Sequence, residues 1–257
     1  MKRVLIPREV PATFIHSLPE AATSALAANF LNDQGHSIAI LVEESIPKAE
    51  EWGEDVAAFM ESLNPDQKVE FHLFDSVPDP NHPDAFEKIC ERMTILSSLI
   101  RTSPKRNHLL LIATTPEALV SPCPKHERQK KSELILSAGQ EYEFEKLCST
   151  LAVDFDYSSE ILCEEPGQFS VRGGLIDIYP VNGTEPARID FFGNEIEEIR
   201  SFDPSTQRGE AILDQLFIAS AQSNQEIEVE GDFFRYLSEP VSWIFREPEE
   251  LTSKFPL

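Results

Sequence analysis

The stretch from residue 166 to residue 208 constrains the fold most, because four short β-type runs follow one another there between turn signals. The turn signals are the pairs Pro166/Gly167, Gly173/Gly174, Asn182/Gly183 and Gly193/Asn194. Each pair offers a residue that tolerates the positive φ of a tight reversal. Short strands joined by such turns form an antiparallel meander. The sequence therefore predicts an antiparallel sheet in the second half of the chain.

The third of these runs shows how the two faces of the predicted sheet differ. Because successive side chains of a strand point to opposite faces, Arg188, Asp190 and Phe192 share one face. Ile189 and Phe191 share the other face, which we predict to be buried in the core. The face with the charged side chains is predicted to be a contact surface.

The first part of the chain alternates apolar runs with helical patterns. Continuous apolar runs, typical of parallel strands covered on both faces, lie at residues 37–42, 69–74 and 109–114. Helical patterns lie at residues 17–33, 47–63 and 83–102. This alternation predicts the α/β class with a parallel sheet. In the first helix, Ala22, Leu26 and Phe30 recur at a spacing of four along an apolar side that Leu31 can widen, and we predict that this side is buried.

A polar segment at residues 121–132 separates this part from the predicted meander and carries the densest basic cluster of the chain. The basic residues are Lys125, Arg128, Lys130 and Lys131. They could contact nucleic acid, but we favour a solvated linker because the surrounding charge is negative. A helix predicted near residues 139–151 then precedes the strands, so the second part has mixed α+β character.

The charge balance argues against direct binding of nucleic acid. With 45 acidic and 22 basic residues, the chain has a net charge of -23, whereas duplex binding depends on Lys and Arg that neutralise phosphates. The cysteines at positions 90, 123, 148 and 163 show neither a CxxC pair nor paired His spacing, so no metal site is predicted. No apolar run approaches the roughly 18 residues of a membrane span, and Pro7 interrupts the N-terminal apolar stretch. We therefore expect a cytoplasmic protein.

An ordered string of short motifs runs through the predicted meander. It consists of Pro166, Gly167 and Phe169, then Arg172 and Gly173, Asp-Ile-Tyr-Pro at 177–180, Arg-Ile-Asp-Phe-Phe at 188–192, Glu-Ile at 195–196, Arg-Ser-Phe-Asp-Pro at 200–204, and Gln207 with Arg208. This string resembles the UvrB-interaction module, the domain by which bacterial UvrB and the transcription-repair coupling factors dock onto UvrA. Weaker similarity to the coupling-factor family extends over nearly the whole chain.

The resemblance implies an architecture in which a degenerate, P-loop-like α/β domain is interrupted by an inserted α+β domain. We accordingly predict the first part of the α/β domain at residues 1–122, the UvrA-docking domain at 123–210, and a return segment to the first domain, truncated, at 211–257. RNA polymerase and DNA are expected to bind only through domains that this chain does not contain.

The resemblance also implies the docking residues, because the matching positions in the family contact UvrA. They are Arg172, Arg188, Asp190 and Phe192. The local alternative is that Arg188 pairs with a nearby acid and that Phe192 belongs to the core. We expect replacement of Arg172, Arg188 or Phe192 by Ala to weaken docking without unfolding the domain. Ser170 departs from the UvrB pattern, which has an additional arginine there, and this puts one contact in doubt.

The residues that nucleotide hydrolysis requires are missing from the expected places. A phosphate-binding loop needs glycines and a lysine, but the first glycine is Gly35 and no lysine lies between Lys2 and Lys48. Arg246 stands after an apolar run, where hydrolysing relatives carry a magnesium-binding Asp. We therefore expect no catalytic residues, no cofactor and no metal in this chain, and predict that it is not an enzyme.

The function predicted from these observations is a non-catalytic docking module that recruits UvrA in transcription-coupled nucleotide excision repair. One alternative is a divergent UvrB-type ATPase that verifies DNA damage. The other is a structural clamp that masks the docking surface inside a longer helicase. Nucleotide binding would favour the first alternative, and failure of the isolated chain to bind UvrA would favour the second.

Overall fold

The computed structural model of the protein describes residues 18–77, 79, 81–82, 84–101, 107–125, 133–221, 231–237, 240–248 and 251. The helices in these ranges are α1 (Glu20–Gln34), α2 (Ile46–Leu63), α3 (Ala85–Arg101), α4 (Pro116–Val120) and α5 (Phe144–Ser149). A π-helical turn follows α5 at Thr150–Asp154, and a 3₁₀ turn lies at Phe233–Tyr236. The strands are β1 (Ile38–Val42), β2 (Lys68–Phe74), β3 (His108–Thr114), β4 (Glu133–Ser137), β5 (Ser158–Ser159), β6 (Gln168–Arg172), β7 (Leu175–Ile178), β8 (Ala187–Phe192), β9 (Glu195–Phe202), β10 (Gly209–Ile212), β11 (Gln215–Ala219) and β12 (Val241–Phe245).

The chain forms two compact units. The first, the parallel unit, contains Met1–Val77, Leu99–Pro122 and Asp232–Leu257. The second, the antiparallel unit, contains Pro78–Ser98 and Cys123–Gly231. The expected combination of a parallel α/β sheet with an inserted antiparallel sheet is confirmed.

A four-stranded parallel sheet with the order β12-β1-β3-β2 builds the parallel unit. Every residue of β1 is buried, as expected of an apolar strand that is covered on both faces. On one face, Leu41 belongs to a core cluster with Trp52 and Val56 of α2. Phe74 and Phe233 make a ring contact at 4.7 Å in the same unit.

The buried side of α1 differs in part from the predicted one, which included Leu31. Ala27, Ala28 and Leu31 are buried, whereas Leu26 and Phe30 are 36% and 37% exposed. Helix α1 packs against α2, where the Ser24 hydroxyl lies 3.4 Å from a carboxylate oxygen of Asp55. Small side chains allow two helices to approach closely, so the side with Ala27 and Ala28 faces the neighbour and the larger side chains of Leu26 and Phe30 remain outside.

The antiparallel unit contains a six-stranded sheet with the order β10-β9-β8-β7-β6-β5. Only β5 and β6 pair in parallel within it. A second, two-stranded sheet pairs β4 with β11. Core side chains of the large sheet pack with side chains from α5, the π-helical turn and the small sheet; they include Ile176, Ile178, Ile189, Phe191, Ile196, Ile199, Leu147, Leu151, Leu136 and Ile218.

The limits of the units differ from the predicted domain limits at two places. Residues 78–98 and 211–231 fall in the antiparallel unit rather than in the first domain. The reason is packing, because Met93 of α3 and Leu216 of β11 are buried in the same core cluster as Ile176. The return to the parallel unit comes later, where β12 pairs with β1. In the described part of the chain, no helix has the length and apolar character needed to cross a membrane.

Candidate functional site

The face of the six-stranded sheet opposite its core, which we call the outer face, carries all four predicted docking residues. Two rows of directly paired positions cross this face. The first row is Arg172, Leu175, Asp190 and Glu198, and the second is Ser170, Asp177, Arg188 and Arg200. The strands thus bring side chains from residues 170 to 200 onto one surface.

Arg188 and Asp177 form a two-pronged ion pair in the second row. The Nε and Nη2 atoms of Arg188 donate to the two carboxylate oxygens of Asp177 at 2.6 Å and 2.8 Å. Only 15% of the Arg188 side chain and 3% of the Asp177 side chain are exposed. The hydrogen bonds to Asp177 raise the pKa of Arg188. The Arg188 guanidinium also lies over the Phe202 ring, at 5.0 Å from its centroid.

This geometry argues against the expectation that Arg188 can be removed without destabilising the domain. The register places Asp177 directly opposite Arg188, so the local alternative, pairing with a nearby acid, is what the structure shows for this residue. Removal of Arg188 would leave a buried carboxylate without its main partner.

A loop at residues 203–208 lies against the second row. The main-chain oxygen of Gln207 accepts from Arg188 Nη1 at 3.5 Å, and Gln207 has a φ of 60°. At the start of the loop, the Ser205 hydroxyl and the main-chain N–H groups of Ser205 and Thr206 donate to Asp203. These hydrogen bonds lower the pKa of Asp203, the Ser205 hydroxyl having the largest effect. The loop is therefore held by its own hydrogen bonds and by Arg188.

Arg172 is the exposed arginine of the outer face, with 45% of its side chain accessible. Its Nη2 atom lies 3.4 Å from Asp177 Oδ2 and 3.4 Å from Gln207 Oε1. Arg172 ends β6, and Gly173 makes the reversal into β7 with a φ of 62°. One nitrogen of the Arg172 guanidinium thus contacts Asp177 and Gln207, while nearly half of the side chain remains accessible.

Phe192 and Phe191 lie on opposite faces, as the alternation predicted. Phe192 is 73% exposed, whereas Phe191 is 7% exposed and contacts the Phe144 ring edge-on at 5.2 Å. A register shift between Asp190 and Phe191 leaves Phe192 at the end of β8, on the outer face. Asp190 is half-buried opposite Leu175. The exposed ring is available to a partner protein.

Ser170 occupies the position where UvrB is expected to carry a further arginine. It is 1% exposed and lies opposite Asp177. Its hydroxyl has no hydrogen-bond partner among the residues that the structure describes. This position is therefore part of the buried second row.

Arg246 forms a second buried ion pair, at the carboxyl edge of the parallel sheet. It follows β12, and its Nε atom lies 3.3 Å from Glu43 Oε1, just after β1. Its guanidinium lies 5.8 Å from the centroid of the Trp52 ring. The Glu43 side chain is 4% exposed. Arg246, paired with Glu43, thus stands at the position where hydrolysing relatives are expected to carry a magnesium-binding acid. Residues 1–17 lie outside the described part of the chain.

Among the residues that the structure describes, the remaining candidates from the sequence do not form a site. The thiols of Cys90, Cys123 and Cys163 are buried and reduced, and burial raises the pKa of Cys90 and Cys163 to about 12. Among the described ranges, no group of three or more His, Cys, Asp or Glu residues is placed to hold a metal ion. Lys125 is exposed, while Arg128, Lys130 and Lys131 lie outside the described residues.

Sequence reasoning missed two residues of the outer face, Asp177 and Gln207. Asp177 is part of a quoted motif, but its partner depends on the register between β7 and β8, which are separated by residues 179–186. Gln207 is also part of a quoted motif, but its role depends on a left-handed backbone conformation that favours glycine.

Comparison with known proteins gives consistent matches. Residues 134–223 match the family model of the UvrB interaction domain. The transcription-repair-coupling factor of Bacillus subtilis (strain 168) is 37% identical over 99 residues, which are 38% of this chain and 8% of that protein. The transcription-repair-coupling factor of Staphylococcus haemolyticus is 25% identical over 203 residues, which are 79% of this chain. That of Staphylococcus epidermidis (strain ATCC 12228) is 26% identical over the same length. The chain spans 16% of the length of these two staphylococcal relatives.

Proposed function

The chain belongs to the transcription-repair-coupling factors as their UvrB-like N-terminal region and contains a UvrB interaction domain, and from this we propose that it is a non-catalytic module that docks onto UvrA. Its role lies in transcription-repair coupling, a part of nucleotide excision repair. The docking step would recruit UvrA in the cytoplasm. The observation that carries this proposal is the presence of both an exposed arginine, Arg172, and an exposed phenylalanine, Phe192, on the outer face.

The exposed side chains of the outer face have the chemistry of an interface centre. Arginine and aromatic residues dominate protein–protein hot spots. Phe192 offers an accessible aromatic anchor, and Arg172 offers a planar fork for a carboxylate. Asp190 adds an acid on the same face. Arg188 takes a different role, because its guanidinium is turned inward onto Asp177 and supports the surface from below.

The charge of the chain favours a protein partner over a nucleic acid. A net charge of -23 repels a polyanion, so this region would not contact DNA itself. We propose that this region does not contact RNA polymerase either. The matched segment is 16% of the length of the relative from Staphylococcus haemolyticus.

We also propose that this region does not hydrolyse ATP. The Arg246–Glu43 pair at the carboxyl edge of the parallel sheet supports this, because a cation there would repel Mg²⁺. Calorimetry with Mg-ATP should show no heat of binding. A micromolar dissociation constant would instead favour the divergent UvrB-type ATPase.

Docking can be tested with purified UvrA and single variants of this chain. Phe192→Ala and Arg172→Ala should each weaken binding about 30-fold, equivalent to roughly 2 kcal/mol for an interface hot spot. Neither change should lower the free energy of unfolding by more than about 1 kcal/mol, because Phe192 is 73% exposed and the half-exposed Arg172 makes only long contacts of 3.4 Å.

Val153→Ala is the matched control for the loss of an exposed apolar side chain. Val153 is 68% exposed, close to the 73% of Phe192, but it lies in the π-helical turn, whose Leu151 packs into the core on the opposite face of the sheet. Its replacement should leave UvrA binding unchanged. If Phe192→Ala and Arg172→Ala bind UvrA as tightly as the parent, the docking site does not lie on this face. No binding of UvrA by the parent would favour a clamp function instead.

A further inference from the structure

We infer that Gln207 is a positioning residue of the docking face, which orients the Arg172 guanidinium for a carboxylate of the partner. The inference rests on the proposed docking function. It names a residue outside the four docking positions and gives it a separate, measurable effect. The contacts of the Gln207 side chain carry the argument.

The orientation of the Gln207 amide is fixed by its surroundings. Its Nε2 atom donates to the main-chain oxygen of Pro204 at 2.8 Å and to that of Cys163 at 3.4 Å. Only the NH₂ group of an amide can donate, so the two carbonyl acceptors determine the orientation of the Gln207 amide. The Oε1 atom therefore points the other way, where Arg172 Nη2 lies at 3.4 Å as a donor.

The backbone of Gln207 is also fixed by hydrogen bonds. Its N–H donates to the main-chain oxygen of Asp203 at 2.7 Å, and its φ of 60° is uncommon for a residue other than glycine. Its main-chain oxygen accepts from Arg188. The same residue thus contacts the buried arginine through its backbone and the exposed arginine through its side chain.

The other contact of Arg172 cannot hold it alone. Asp177 is already bound on both carboxylate oxygens by Arg188, and Arg172 reaches one of these oxygens at 3.4 Å. The charge of Asp177 is therefore shared, and Gln207 is a neutral acceptor. Arg172 is oriented but keeps positive charge to offer to a partner carboxylate.

Orientation before binding should strengthen binding. A long side chain that is already restricted loses less conformational freedom at the interface. The corresponding gain is about 2- to 10-fold in affinity for one immobilised side chain. Removal of the Gln207 side chain should cost this factor and no more.

Gln207→Gly is the variant that isolates this effect. Glycine adopts the positive φ without strain, so the backbone contact to Arg188 is retained while the side-chain contacts are lost. Gln207→Asn is a second variant that also tolerates this conformation, and its shorter side chain cannot bridge the same groups. Binding of UvrA is measured for each variant in the parent and in the Arg172→Ala background.

We expect either change to weaken UvrA binding about 2- to 10-fold in the parent and by less than about 2-fold in the Arg172→Ala background. A merely structural role would give the same loss in both backgrounds, and that result would overturn the inference, as would unchanged binding in the parent. If Arg172→Ala itself binds UvrA like the parent, the proposed docking site fails instead. The two failures are thereby distinguishable.

Discussion

Two buried arginine–carboxylate pairs, one in each unit, resemble each other in burial and differ in consequence. In the antiparallel unit, Arg188 and Asp177 are 15% and 3% exposed. In the parallel unit, Arg246 and Glu43 are 18% and 4% exposed. The first pair has two short contacts at 2.6 Å and 2.8 Å, whereas the second has an Nε–Oε1 separation of 3.3 Å.

The difference follows from where the strands place the two partners. Asp177 and Arg188 are direct neighbours across antiparallel strands, and Arg172 adjoins them at the surface. Glu43 and Arg246 each follow a parallel strand, so they meet where both strands end. The first pair supports an exposed arginine, and the second occupies the edge where parallel sheets usually bind ligands. The role of each buried ion pair therefore depends on its surroundings, which are the exposed Arg172 for the first pair and the carboxyl edge of the parallel sheet for the second.

The largest expected effect comes from Arg188→Ala. Breaking a buried pair by removal of one partner costs about 3–5 kcal/mol, and Asp177 would keep only the longer contact to Arg172 at 3.4 Å. The free energy of unfolding in urea should fall by this amount, and UvrA binding should weaken because Asp177 and Arg172 lose their arrangement. A loss below about 1 kcal/mol would show that the burial of Asp177 does not matter for stability.

Two controls sharpen this result. Replacement of both partners, Asp177→Leu with Arg188→Met, should restore most of the lost stability, because a buried pair can be exchanged for apolar side chains of similar size. Arg200→Ala breaks a more exposed pair with Glu198, in which the side chains are 33% and 38% exposed. That change should cost less than about 1 kcal/mol.

The sequence predicted the faces of the meander well, because side chains alternate strictly along a strand. Phe191 is buried and Phe192 exposed, as the alternation requires. The three apolar runs of the first part are parallel strands with nearly the predicted limits. Period-two patterns and continuous apolar runs are local properties, so they can be read without knowledge of the neighbours.

Features that depend on neighbours were not predictable. The pairing of Arg188 depends on the register with β7, and the buried side of α1 depends on how closely α2 approaches. Gln207 takes its role from a backbone conformation that its residue type does not announce. The placement of residues 78–98 depends on the core that Met93 enters. Each of these is a tertiary property.

A smaller loss in the free energy of unfolding is expected from Arg246→Ala than from Arg188→Ala. Glu43 loses its arginine but still accepts the N–H of Glu44 at 2.7 Å, and the lost contact was a longer one. The cost should therefore be about 2 kcal/mol, below that of Arg188→Ala, because one hydrogen bond to the buried carboxylate remains.

The control is Arg246→Ala combined with Glu43→Gln, which removes the uncompensated charge and should recover about half of the loss. UvrA binding should be unchanged in both variants, because the docking residues lie in the other unit. Urea unfolding and UvrA titration of the same samples check both expectations. If Arg246→Ala weakened UvrA binding as strongly as Arg188→Ala, the two pairs would not have separate roles, and the parallel unit would have to take part in docking.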